Sequence, residues 1–233
     1  MAFPPVDATN GGFDAAGLNH TVNLPAGIVA GKLLIAILCS FDLTVIGWPG
    51  GWTQLFHTQF PSGSDVTLSA AYRIADGGEG ATIIVTTSTT EKTAHVTYMI
   101  SGYSDTPECG VSVTATTNSP NPPNLAPSWG AEDTLWLAIC GYNLTAGVTT
   151  VSAYPANYIN GLNYVSSVSD GAGVGSAERE LNASPEDPGA FTLNYARDSI
   201  ANTIAIRPLG GGGGGIADKS ANMGGKMIGE GLI

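Results

Sequence analysis

The feature that most constrains this chain is a diverged internal duplication. Trp48-Pro49-Gly50-Gly51-Trp52 follows the apolar run Leu33-Leu34-Ile35-Ala36-Ile37-Leu38-Cys39, and Tyr154-Pro155-Ala156-Asn157-Tyr158 follows Thr134-Leu135-Trp136-Leu137-Ala138-Ile139-Cys140. Asn23-Leu24 matches Asn124-Leu125, Leu34 matches Leu135 and Cys39 matches Cys140, each 101 residues apart. The two aromatic corners lie 106 apart, as do Ala71 and Arg73 with Ala177 and Arg179; Ala94 matches Ala201 at 107. The order is kept while the offset drifts, as loop insertions produce. The period is too long for a solenoid, so the chain holds two copies of one unit.

A charged fraction of only 12 %, with 32 glycines and 14 prolines, favours strands joined by turns over helices. The net charge is −11, and it resides in residues 1–209, which hold 17 acids against 6 bases. Such a surface repels nucleic acid and anionic membranes, so neither is an expected partner. Three cysteines without a CxxC spacing make no disulfide framework, and Cys39 and Cys140 read as buried small hydrophobes at one repeat position. No secretory leader is read at the start, and the longest apolar run is too short to span a bilayer.

The expected fold is all-β: an antiparallel, jelly-roll-like sandwich with an internal pseudo-duplication and an extended Gly-rich C-terminal tail. Residues 1–19 read as an arm. Residues 20–209 read as one sandwich built from two halves, about 20–105 and 124–209. The run 33–41 is short and apolar on both faces, which suits a central strand covered on both sides. Asp76-Gly77-Gly78 reads as a hairpin turn between 66–75 and 81–87, with a further strand over 93–102. Residues 210–233, opening with six glycines, read as a spacer and an anchoring tail whose contacts are Ile216, Met223, Met227, Ile228, Leu232 and Ile233.

No catalytic signature occurs, and neither a cofactor nor a metal is predicted. The three histidines His20, His57 and His95 fall on different strands. Glu178 and Glu180 share one face of a strand, here expected to be solvated. Trp48, Trp52, Tyr154 and Tyr158 are the candidate glycan contacts, because amphipathic rings at corners stack on sugars; the duplication also suits a purely structural role for them.

Leu24-Pro25-Ala26-Gly27-Ile28-Val29-Ala30-Gly31-Lys32-Leu33-Leu34, then Trp48 to Leu55, then Ala71-Tyr72-Arg73-Ile74-Ala75-Asp76-Gly77-Gly78-Glu79-Gly80, resemble a group of tailed-bacteriophage virion proteins. The resemblance covers residues 20–105 and, more faintly, 124–209. It implies a non-enzymatic particle component, assembled in the bacterial host cytoplasm and located in the virion. A homo-oligomeric capsid decoration subunit held by its termini to other virion proteins is the first expectation. A head- or tail-fibre adhesin that binds host surface glycans is the second, and a polysaccharide-degrading enzyme the third.

Overall fold

A computed structural model describes residues 2–63, 65–145, 149–166 and 170–210. Fourteen strands follow one another, and no helix occurs among the described residues: β1 (Val6–Asn23), β2 (Leu33–Phe41), β3 (Ile46–Gly47), β4 (Thr53–Phe60), β5 (Val66–Ile74), β6 (Thr82–Ile100), β7 (Glu108–Cys109), β8 (Val113–Thr117), β9 (Asp133–Leu144), β10 (Val151–Ala153), β11 (Ile159–Val165), β12 (Gly171–Asn182), β13 (Thr192–Leu193) and β14 (Arg197–Ile206). The chain is an all-β antiparallel sandwich. One sheet runs β4-β5-β2-β6-β1, with β3 also on β6. The other runs β11-β12-β9-β14, with β7 and β8 sharing the far edge of β14.

Each sheet is one half of the duplication. The first uses only β1 to β6 and the second only β7 to β14, apart from the small β10–β13 ribbon. Strands at matching places in the halves take matching places in the sheets, with β2 and β9 at the centre. The inner faces then close on a shared core. Leu33, Ile35, Ile37, Leu68 and Val96 from the first sheet meet Leu135, Leu137, Ile139, Val174 and Ile204 from the second. Each such side chain is worth about 1.5–3 kcal/mol when fully buried. One core drawn from both halves makes this a single sandwich rather than two tandem domains.

β2 and β9 are buried at nearly every position because both faces are covered. The outer face of the first sheet is covered by its own long strands. β1 and β6 lose register around Asp14, Gly17 and Asn19, and their far ends fold back. Val22, Val85 and Ile46 thereby pack on Leu38, while Asn23 donates its N–H to His95 Nε2 (3.0 Å) and accepts from Thr97 Oγ1 (2.7 Å). The outer face of the second sheet is covered by loops. Phe191, Leu193, Tyr158 and Leu125 pack there on Trp136, Cys140 and Tyr142.

Three expectations about the strands need correction. The arm over residues 1–19 is instead β1 from Val6 onward, held along β6; its glycines admit the register shifts that let a long ribbon bend. The strands expected over 81–87 and 93–102 are one strand, β6. Asp76-Gly77-Gly78 does not close a β5–β6 hairpin, since β2 lies between those strands. Gly77 does take φ of +87°, and the loop is closed by Glu79, which accepts from the N–H groups of Asp76 and Gly77.

Cys39 and Cys140 are not equivalent. Cys39 faces the shared core, whereas Cys140 faces the outer cluster. The matching of facing positions runs at offset 102 for β2 and β9, pairing Cys39 with Gly141, and at 106 for β6 and β14, pairing Ala94 with Ile200. Side chains alternate along a strand, so a one-residue slip in alignment reverses every direction. Gly141 lies against its counterpart: a Cβ there would sit 2.9 Å from Cys39 Sγ and 2.8 Å from a Leu68 methyl.

Candidate functional site

The two aromatic corners share one backbone. Trp52 N–H donates to Pro49 O (3.2 Å), and Tyr158 N–H donates to Pro155 O (3.1 Å). The residue before the last aromatic has positive φ in both, +85° at Gly51 and +67° at Asn157. That is the type II pattern, in which the third position requires Gly or Asn. Each corner lies beside an arginine at the end of the neighbouring strand. Arg73 pairs with Asp76 and with the buried Glu79 (Nε to Oε1, 2.9 Å). Arg179 pairs with the buried Glu186 (2.9 Å), which also accepts from Tyr158 Oη (3.3 Å). Burial works against the charge on Glu79, but the N–H groups around it outweigh that and hold its carboxyl below the usual range.

These contacts place the candidate glycan residues. Trp48 and Trp52 stack with centroids 6.1 Å apart at 25°, and Trp48 Nε1 donates to Ser69 Oγ (3.0 Å). Tyr154 meets Phe191 edge-on. Trp48, Trp52 and Tyr154 are half-buried, whereas Tyr158 is only 8 % exposed and its phenol is pushed up by burial and by Glu186. The four residues form two separate corners, one on each sheet. The anchor residues Ile216, Met223, Met227, Ile228, Leu232 and Ile233 lie outside the described residues.

The sides of the sandwich hold what the sequence reading passed over. On one side β4 and β7–β8 abut, through Thr58 Oγ1 to Ser112 Oγ (2.9 Å) and Cys109 Sγ to Leu55 O (3.6 Å). Neither β4 nor β8 carries a charged residue, and Val111, just before β8, is 89 % exposed. Among the described residues β8 pairs with β14 alone. Edge strands are ordinarily protected by charge, proline or bulges.

On the opposite side, β1 and β11 bound a cavity of about 370 Å3 lined by Val6, Ala8, Thr9, Asn160, Leu162 and Glu178. Glu178 and Glu180 are not both solvated: Glu180 is exposed, but Glu178 is only 8 % exposed and faces this cavity. Inward positions on β12 alternate through Ala172, Val174 and Ser176 to Glu178. Ser176 bonds Tyr98 Oη across the sandwich at 2.6 Å. Burial pushes the Glu178 carboxyl above the ordinary range, opposed by Asn160 Nδ2, which donates to Oε1 at 2.5 Å. Asn160 holds φ of +52°, a left-handed conformation uncommon outside glycine. At the matching place in the first sheet, 106 residues earlier, stands Tyr72, packed on the core. The single signal in the sequence was this break in the repeat.

No protein-family model matches the chain, and no curated protein or solved structure matches it.

Proposed function

We propose that the protein is a non-enzymatic structural subunit of a bacteriophage virion, a capsid decoration protein that meets further copies of itself through its unguarded side edge. The observation that carries the reading is β8. It is an uncharged edge strand whose outer backbone has no partner among the described residues, with Val113 exposed at its start and Val111 exposed just before it, on a body of net charge −11. Two such bodies repel each other in general, and an uncharged edge lets strands pair without setting carboxylate against carboxylate. The resemblance over residues 20–105 supplies the particle.

Two measurements test it. Light scattering over a concentration series should show self-association of the full chain, and Val113→Lys should abolish it with the circular dichroism spectrum unchanged. Peptide mass spectrometry of purified particles should find the chain in many copies. A chain that stays monomeric at high concentration and is missing from particles overturns the reading.

The stacked, half-buried Trp48–Trp52 pair favours a second reading, an adhesin for host surface glycans. Glycan-array binding that is lost in Trp52→Ala, with folding kept, would select it.

A further inference from the structure

The cavity between β1 and β11 ends on a carboxylate that meets no cation among the described residues. Glu178 is buried and accepts one hydrogen bond, from the neutral amide of Asn160 to Oε1. The adjacent Arg179 is turned to the other face of β12, where it pairs with Glu186. A buried carboxylate so placed costs stability unless a cation or a further strong donor completes it. Its second oxygen is left to the cavity that Glu178 lines.

The rest of the lining selects the kind of cation. With Oε1 taken by Asn160, the two-oxygen face that a guanidinium grips through parallel N–H bonds is not free. A hard metal ion asks for about six oxygens, and no group of three or more metal-ligating His, Cys, Asp or Glu side chains occurs among the described residues. A primary ammonium needs only three acceptors, one for each N–H. Glu178 Oε2, Asn160 Oδ1 and the Thr9 hydroxyl are three acceptors on the walls of one cavity, Oδ1 being free because the amide nitrogen serves Glu178. Val6 and Leu162, both packed on the core, give an apolar wall for attached carbons. A volume of about 370 Å3 is near the small end for ligand cavities and suits a slim chain of a few carbons.

A second carboxylate stands one strand repeat away. Glu180 is two residues along β12, so it lies on the same side of the strand at roughly 6–7 Å, and it is exposed. The two charges oppose each other, since Glu180 adds to the burial that pushes the Glu178 carboxyl up. A dication that reaches both relieves this repulsion. A diamine with about four methylenes between its nitrogens covers the rise of two strand residues.

We infer that the Glu178–Asn160 cavity binds a linear aliphatic diamine, with one ammonium on Glu178, Asn160 and Thr9, its carbons along Val6 and Leu162, and the other ammonium on the exposed Glu180. The site lies on the opposite side of the sandwich from β8, so it goes beyond the assembly reading and stands independently of it.

Titration calorimetry and 1H–15N spectra of the full chain with putrescine, at physiological salt, test it. The expected result is one putrescine bound per chain, with a shift of the Asn160 side-chain amide resonance. Glu178→Gln should weaken binding by about a hundredfold. Glu180→Gln, at an exposed position that leaves the fold alone, should weaken it by about fivefold, to the level of butylamine. The same variant should leave butylamine binding unchanged. Nα-acetyl-lysine amide, which stands in for a lysine of another protein, should bind no better than butylamine. Absence of binding at millimolar putrescine overturns the inference. So does equal binding by Glu178→Gln, which marks general attraction to an acidic surface. Butylamine or the lysine amide binding as tightly as putrescine would make the ligand a single ammonium and sink the diamine. Self-association through β8 is read separately by light scattering, so the two ideas fail independently.

Discussion

The two sheets arrange their strands in the same order but cover their outer faces with different chemistry. Behind the first sheet the fold-back of β1 and β6 buries a polar seam, with His20, Thr93, His95 and Thr97 fully enclosed. Behind the second, the same layer is aromatic, with Trp136, Tyr142 and Phe191 fully buried. At facing positions 102 apart, Leu34 corresponds to Trp136 and Leu38 to Cys140. The shared inner faces and the turn chemistry at the corners have kept their pattern, because each half needs the other to complete the core. The outer faces answer only to their own covering segments, and they have diverged.

The largest expected effect separates these outer layers. Trp136 is enclosed and donates Nε1–H to Leu181 O (3.0 Å), so Trp136→Ala should cost about 3–5 kcal/mol in urea unfolding. Leu34 packs in a smaller group with Ala75 and Met99, so Leu34→Ala should cost about 2–3 kcal/mol. A larger loss at Leu34 would reverse the ranking of the two layers. Next come the corner ion pairs. Glu79→Gln should cost about 3 kcal/mol and Glu186→Gln about 2 kcal/mol, less than for fully buried pairs because both arginines are partly hydrated. Glu79 ranks higher because it also holds the N–H groups of Asp76 and Gly77. Equal losses would mean that the backbone contacts add nothing.

Much of the fold is legible in the sequence where local pattern and tertiary demand coincide. The doubly apolar run 33–41 is β2 itself, and the aromatic corners are turns of one type. What is not legible depends on long-range partners. Gly11, Gly12 and Gly17 read as an arm because Gly-rich segments lack an apolar pattern; pairing with β6 makes them a strand. The facing of Cys140 is lost in a one-residue ambiguity that only the opposing sheet resolves. Glu178 reads as a surface residue because alternation alone gives its face of the strand, not whether that face meets water.

His95 gives an effect of intermediate size that is confined to the first sheet; its counterpart in the second is Ala201. Burial pushes the imidazole down to about 4, and its neutral Nε2 accepts from Asn23 N–H. The unfolded chain therefore takes up the proton first, near its ordinary value of 6.5. The contribution is complete above that value and is lost as pH falls toward about 4, a change on the order of 3 kcal/mol. Glu91 and Glu178, raised by burial, act in the opposite sense over part of this range. The informative quantity is thus the difference in pH slope between the wild type and His95→Gln, whose amide oxygen can accept the same N–H. The variant should show the shallower slope. Hydrogen exchange at pH 4.5 should open the β1–β6 ribbon of the wild type before β9 and β14. Uniform opening of both sheets would remove His95 as the cause.

The smallest effect tests whether the corners are equivalent in energy as well as in shape. Gly51 and Asn157 occupy the same turn position at φ of +85° and +67°. At Gly51 alanine forces a Cβ into the left-handed region, and at Asn157 it removes the amide side chain that eases that conformation; each change costs about 1 kcal/mol. At Gly51 the new Cβ would also sit 2.8 Å from Arg73 Nη1 and disturb the pair that Arg73 makes with Glu79. Gly51→Ala should therefore cost about 2 kcal/mol against about 1 kcal/mol for Asn157→Ala, while Asn157→Gly should change stability by less than about 0.5 kcal/mol. Equal losses at the two alanine sites, measured by urea unfolding, would show that Arg73 moves aside freely and that its closeness to the turn carries no energy.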